Sequence, residues 1–296
     1  MGNKTKIDWC DATWNPVTGC LHDCEYCYAR RIAERFNGHI LDPIGNSVVV
    51  RDGRGKKPIY ELDNPVSKVD GIDRVLGSKV SKAPYPFGFS PTFHRYKLDE
   101  PQRWKKPRTI FVCSMADLFG DWVPDEWIEQ VFKACEAAPQ HRYIFLTKSP
   151  GRLAKMANAH NVRQWNERHP DKLHPNTDEY GGIPSLPRHD NWWFGSSLDN
   201  ADARRFDGGL HWNTFTSIEP LMEHMQMGIG SFGSDRWTII GAETGKRKNK
   251  VIPERAWIDN ILEAAAFTGV KVFMKESLRE LMGADFRQEF PWEATE

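Results

Sequence analysis

The sequence predicts an α/β fold, a partial (β/α)6 TIM-type barrel with inserted loops. Three observations carry this expectation. Short runs rich in β-branched and aromatic residues recur along the 296-residue chain. They alternate with stretches of helical spacing, the signature of parallel strands joined by crossover helices. Several are apolar almost throughout, as strands buried on both faces are.

A first strand is expected before Cys20, in TWNPV (13 to 17). A cysteine-bearing loop follows, then a helix over YARRIAERF, with Tyr28, Ile32 and Phe36 at helical spacing. Residues 37 to 106 are rich in Gly, Pro and charge, including PYPFGFSPTFH (84 to 94), and break the rhythm as an insertion. TIFVCS (109 to 114) is the clearest buried strand. Its helix begins near Pro124, with Asp125 and Glu126 at the positive end. Trp127, Ile128, Val131, Phe132 and Cys135 form the apolar face until Pro139. RYIFLT (142 to 147) is the next strand, with a helix from Pro150. Residues 155 to 190, polar and carrying Pro170, Pro175, Pro184 and Pro187, read as a second insertion. NWWFGSS (191 to 197), NTFTSI (213 to 218) and RWTIIGA (236 to 242) are strands, and PERAWIDNILEAAAF (253 to 267) is a helix stopped by Gly269. VKVFMK (270 to 275) closes the series, bringing the count to six or seven. One main domain over residues 1–296 with two insertions is expected, and long insertions in barrels often cover a site.

Composition narrows the class. With 40% hydrophobic and 27% charged residues the chain can bury one large core or two modest ones. No apolar run approaches the roughly 18 residues of a membrane helix, and the N-terminus lacks a signal-peptide core. A cytoplasmic protein with no membrane partner is expected. Forty basic residues balance forty acidic ones, so net charge supplies no general attraction to nucleic acid. Local basic runs remain at RDGRGKK (51 to 57), RWKKPR (103 to 108) and KRKNK (246 to 250), and each also reads as a solvated loop. Among the twelve tryptophans, Trp104, Trp165, Trp192 and Trp193 are candidates for stacking on bases, although core packing accounts for most of them.

The chemistry concentrates in GCLHDCEYCY (19 to 28), where Cys20, Cys24 and Cys27 fall within eight positions. A structural zinc site takes four protein ligands, and no second Cys-x-x-Cys pair exists: Cys10 is isolated, Cys113 belongs to a strand and Cys135 to a helix face. A 4Fe-4S cluster bound by three thiolates instead leaves one iron open to a ligand that is not protein. Two alternatives stay open: a zinc site completed by His22 or Cys10, and an iron-sulfur or zinc module that binds nucleic acid without radical chemistry.

The C-x3-C-x2-C spacing, with Tyr26 just before the last cysteine, resembles the signature of the radical S-adenosylmethionine enzymes. In that superfamily the cysteine loop follows the first strand of a partial barrel, and the open iron is chelated by S-adenosylmethionine, whose reductive cleavage gives a 5'-deoxyadenosyl radical. IDWCDATWNPVTGC, PFGFSPTFHRYKLDEP, SMADLFGDWVPDEW, LTKSPGRL and GAETG resemble the phage Gp37/Gp68 family, classed with those enzymes.

Parallel barrels hold ligands at the carboxyl ends of their strands. Ser114 and Asp117, Lys148, Ser196 and Ser197, Glu219 and Glu243 stand just after successive strands. The arrangement is similar to that of spore photoproduct lyase, a DNA-repair member of the superfamily. By that likeness Ser114 and Asp117 contact the cofactor's amino or ribose groups, Lys148 its carboxylate and Ser196 its ribose. Glu219, Glu243 and Tyr26 complete the cofactor-binding set. Cys113 resembles a cysteine that returns a hydrogen atom to the substrate radical. One extra residue between Cys113 and Asp117 departs from the pattern. The resemblance implies a 4Fe-4S cluster and S-adenosylmethionine as cofactors and an electron donor such as flavodoxin or ferredoxin. Together with the basic runs, it favours DNA or RNA as substrate.

Overall fold

Val, Ile, Thr and aromatic residues supply the strands, and most strands stop where a Gly or polar residue takes over. The computed structural model describes residues 5–37, 39–40, 48–52, 58–70 and 79–293, with backbone pairing alone at 39–40, 48–52, 68–70 and 79–80. These residues form two units, 12–141 and 142–293 together with 5–11.

The first unit contains β1 (Ala12–Trp14), β2 (Val17–Thr18), α1 (Tyr28–Arg35), β3 (His39–Ile40), β4 (Val48–Asp52), β5 (Pro58–Leu62), β6 (Ser67–Asp70), β7 (Lys79–Lys82), β8 (Thr92–His94), β9 (Thr109–Val112) and α2 (Asp125–Glu136). β1 and β9 pair in parallel, with Ala12 opposite Ile110 and Trp14 opposite Val112, and β9 is buried along its whole length. The expected strand TIFVCS is cut short because Cys113 turns into the left-handed region at φ 58°. α2 starts after Pro124 and buries Trp127, Ile128, Val131, Phe132 and Cys135, the face its spacing predicts. Residues 37 to 106 contribute strands to two small sheets, ordered β2-β8-β5-β4 and β3-β6-β7. Glu61 of β5 is buried beneath Arg95 and Trp127, accepting from Arg95 Nη2 at 2.7 Å and Trp127 Nε1 at 2.9 Å.

Helix α1 corrects one expectation. Tyr28, Ile32 and Phe36 are exposed, and the inward face is Ala29 and Ala33. Small side chains let a helix of eight residues approach its support closely, which the larger rings would prevent.

The second unit is a parallel sheet in chain order: β10 (Arg142–Thr147), β11 (Trp192–Ser197), β12 (Asn213–Ile218), β13 (Trp237–Ile240) and β14 (Lys271–Met274). α3 (Pro150–Arg168) and the short α4 (Thr177–Tyr180) connect β10 to β11, and α5 (Arg255–Thr268) connects β13 to β14. α3 therefore runs well into the segment from 155 to 190, burying Leu153, Met156, Ala157, Ala159 and Val162 at helical spacing. Gly269 ends α5 in the left-handed conformation at φ 72°, where a side chain would be strained. The core between sheet and α5 contains Ile218, Ile240, Val272, Met274, Ile258 and Ile261. Phe145 stacks on Phe194, and Trp237 lies against Trp193, Phe215 and Phe273. Trp192 and Trp193 are thus core residues, unavailable for stacking on bases. Among the described residues, β1, β9 and β10 to β14 make seven strands of the parallel progression, one more than a six-stranded barrel has.

Candidate functional site

The cysteine loop joins β2 to α1, and backbone geometry fixes its entry. Gly19 has φ 85°, and a Cβ added there would lie 2.2 Å from the Ser90 carbonyl oxygen, so only glycine fits. Its N–H donates to Met115 O at 2.9 Å, and that of Cys20 donates to Phe89 O at 3.2 Å. Asp23 turns the chain at φ 59°, a conformation aspartate tolerates, and pairs with Arg30. At the far end Cys27 caps α1, its sulfur accepting the Arg30 N–H at 3.4 Å. Tyr26 presents its carbonyl to Arg31 at 3.3 Å.

Within the loop, His22 Nε2 donates to Asp117 Oδ2 at 2.7 Å, and its ring lies edge-on to Trp122 at 4.9 Å. Asp117 Oδ1 accepts the Phe119 N–H at 3.0 Å. Asp117, expected on a cofactor, is the partner of His22 in this structure. Ser114 is also engaged: its hydroxyl donates to Asn15 Oδ1 at 3.1 Å, and its carbonyl accepts from the Tyr28 hydroxyl at 2.6 Å. Asn15, missed in the sequence, takes the Met115 N–H as well, at 2.9 Å. Standing directly after β1, it fits the same strand-end rule that selected the others.

No disulfide joins any of the six cysteines. Cys20, Cys24 and Cys27 are partly buried, whereas Cys113 and Cys135 are fully enclosed. Burial, then the charge of Asp117, with smaller contributions from Cys24 and Cys27, pushes the Cys20 thiol up to about 12 against an opposing hydrogen bond from the His22 backbone. Burial likewise holds Cys113 at about 12 despite an N–H from Val17. No group of three or more His, Cys, Asp and Glu side chains among the described residues converges on a single-ion site. Three cysteines in one loop, none in a disulfide, do suit a cluster chemically, because each sulfur of such a site binds a different iron and the ligands need not converge on one point.

The second unit carries its own polar set after the strands. Lys148 donates to Ser197 Oγ at 3.0 Å and Asp199 Oδ2 at 2.9 Å. Ser196 Oγ accepts the Phe206 N–H at 2.8 Å, a bond that ties down a loop. Glu219 pairs with Lys275 across Gly241, where an added Cβ would lie 2.9 Å from the Lys275 chain. Glu243 is buried and grips Arg247 through two bonds of 2.7 Å, also accepting the Val251 N–H at 3.2 Å. Each carboxylate and ammonium of this set is partnered within the unit. Asp199, Arg247 and Lys275 were missed in the sequence; only Lys275, closing the run VKVFMK, carried a legible strand-end signal.

Among the described residues no helix is long and apolar enough to cross a membrane. No curated protein and no solved structure matches the chain. A family model does, over residues 4–279, and the chain belongs to the family described as "Protein of unknown function (DUF5131)".

Proposed function

We propose that this protein is a radical S-adenosylmethionine enzyme, its parallel strands forming a partial TIM-type barrel and its 4Fe-4S cluster held by Cys20, Cys24 and Cys27. The observation that carries the reading is the loop itself: three partly buried cysteines outside any disulfide, at C-x3-C-x2-C spacing, entered through a glycine-only turn and left through a sulfur-capped helix. When bound, the cluster and S-adenosylmethionine supply a one-electron cleavage that yields a carbon radical.

The chain's own residues orient and protect. The His22–Asp117 bond and the Gly19 turn hold the shape of the loop that carries the three cysteines. The Arg30 N–H directed at Cys27 stabilises negative charge on that sulfur and so tunes its ligation. Cys113, enclosed and protonated at neutral pH, keeps the S–H bond that hydrogen-atom return requires. Lys148, Ser196, Glu219 and Glu243 line the strand ends as the polar contacts of the second unit, with Lys148 able to exchange Asp199 for another carboxylate. Nucleic acid is the substrate class this reading favours, with a flavodoxin or ferredoxin as electron source and the cytoplasm as location.

The test is anaerobic purification and reconstitution, with iron, sulfide and zinc measured, then dithionite and S-adenosylmethionine with and without DNA or RNA. Four irons with matching sulfide and formation of 5'-deoxyadenosine are expected. A single zinc without sulfide, or an intact cluster that forms no 5'-deoxyadenosine, overturns the reading. In Cys113→Ala, cofactor cleavage should persist and the product should change.

A further inference from the structure

A cleft of about 460 Å3 opens in the first unit. Its size falls within the range of small-molecule sites. Pro65, Pro84 and the ring of Tyr96 form its apolar walls, while Lys82, Lys97 and Arg103 face it with one carboxylate, Glu100.

The charges are unevenly satisfied. Lys97 Nζ has, as its hydrogen-bond partner among the described residues, the Asn15 carbonyl at a long 3.5 Å, and lies 5.8 Å from the centre of the Tyr96 ring. Burial lowers the pKa of its ammonium although Glu100 opposes the shift. Burial also raises the carboxyl of Glu100, outweighing Lys97 and Arg103. The two half-buried groups compensate each other only in part. Arg103 pairs with the exposed Asp99 at the rim and keeps further donors.

A ligand that relieves this arrangement must bring more than one negative charge, several acceptor oxygens and an organic body for the apolar walls. Three cations line the cleft against one carboxylate, and the two charges and several oxygens of a phosphate monoester answer that excess better than a single carboxylate does. The geometry points to this cleft as a binding site for a phosphate monoester of mononucleotide size, either a free nucleotide or the phosphorylated end of a strand. The site requires neither a cluster nor a reductant, so it goes beyond the radical reading and is independent of it.

The full chain, without reductant or cofactor, is titrated with adenosine 5'-monophosphate, adenosine, and matched oligonucleotides bearing a 5'-phosphate or a 5'-hydroxyl, at two salt concentrations. The monophosphate or the 5'-phosphorylated strand should bind and its unphosphorylated partner should not, with affinity falling as salt rises. Lys97→Met should weaken binding about tenfold. The exposed Arg103→Ala should weaken it severalfold, and Glu100→Gln should leave it equal or tighter. Binding of the mononucleotide alone identifies a free nucleotide; preference for the phosphorylated strand identifies a strand end. No binding of either phosphorylated probe, equal binding of adenosine and its monophosphate, or affinity unchanged in both Lys97→Met and Arg103→Ala overturns the site. Failure to form 5'-deoxyadenosine would leave it untouched.

Discussion

A cysteine's chemistry is decided by what surrounds its sulfur, and this chain contains both extremes. Cys20, Cys24 and Cys27 are partly exposed in a loop, whereas Cys135 is enclosed on α2 and its thiol is pushed well above its ordinary range by burial. Replacing any one loop cysteine with alanine should therefore abolish iron and sulfide retention while Cys135→Ala keeps it and instead loses about 1–2 kcal/mol of stability. Iron and sulfide analysis beside urea unfolding separates the two effects. A second prediction concerns Asp235, whose carboxyl burial raises to about 6 although Thr216 and Thr214 donate to it. The folded state then holds this proton more tightly than the unfolded one, so stability is retained below about pH 4 and falls as pH rises to about 6. The loss approaches ~3 kcal/mol from this group alone. Urea unfolding of the wild type and Asp235→Asn at pH 4 and pH 7 should show the two stabilities diverging by that order. The spacing of the three loop cysteines was legible because residues within one short loop are neighbours in the sequence itself. The His22–Asp117 pair was not, since 95 positions separate its partners.

At the scale of elements, apolar spacing identified the strands well and the orientation of α1 badly. β10 and β12 have the bounds their apolar runs imply, since a strand buried on both faces is visible as an uninterrupted run. For α1, spacing grouped Tyr28, Ile32 and Phe36 on one stripe but could not reveal that the alanine stripe turns inward. α3 continues through a polar stretch because its few buried positions keep the helical period even where composition suggests a loop. The loop between β2 and α1 depends on Gly19 at φ 85° against the Ser90 carbonyl. Gly19→Ala should destabilise the first unit by about 2 kcal/mol or more and reduce the cluster content of the folded protein. Thermal unfolding and iron analysis of the same preparation would check both.

Across the whole molecule, the described residues between 58 and 106 are held by more than loop contacts. Glu61 connects β5 to Arg95 and to Trp127 of α2 from a buried position. Glu61→Ala would leave a guanidinium short of its partner and an indole N–H without its acceptor, costing about 3–5 kcal/mol. Chemical unfolding should register that loss, with Glu61→Gln recovering part of it. The sequence by itself determined the α/β class, the order of the parallel strands and of the helices α1, α2, α3 and α5, the spacing of the three thiols and the polar residues that follow the strands. These are properties of neighbouring residues, and backbone periodicity records them directly. Only the tertiary structure decided that Asp117 holds His22, that Lys148 meets Asp199, that Glu243 closes on Arg247 and that α1 rests on its alanines. Such pairings depend on how the packed chain brings particular side chains together, and local spacing contains no record of that path.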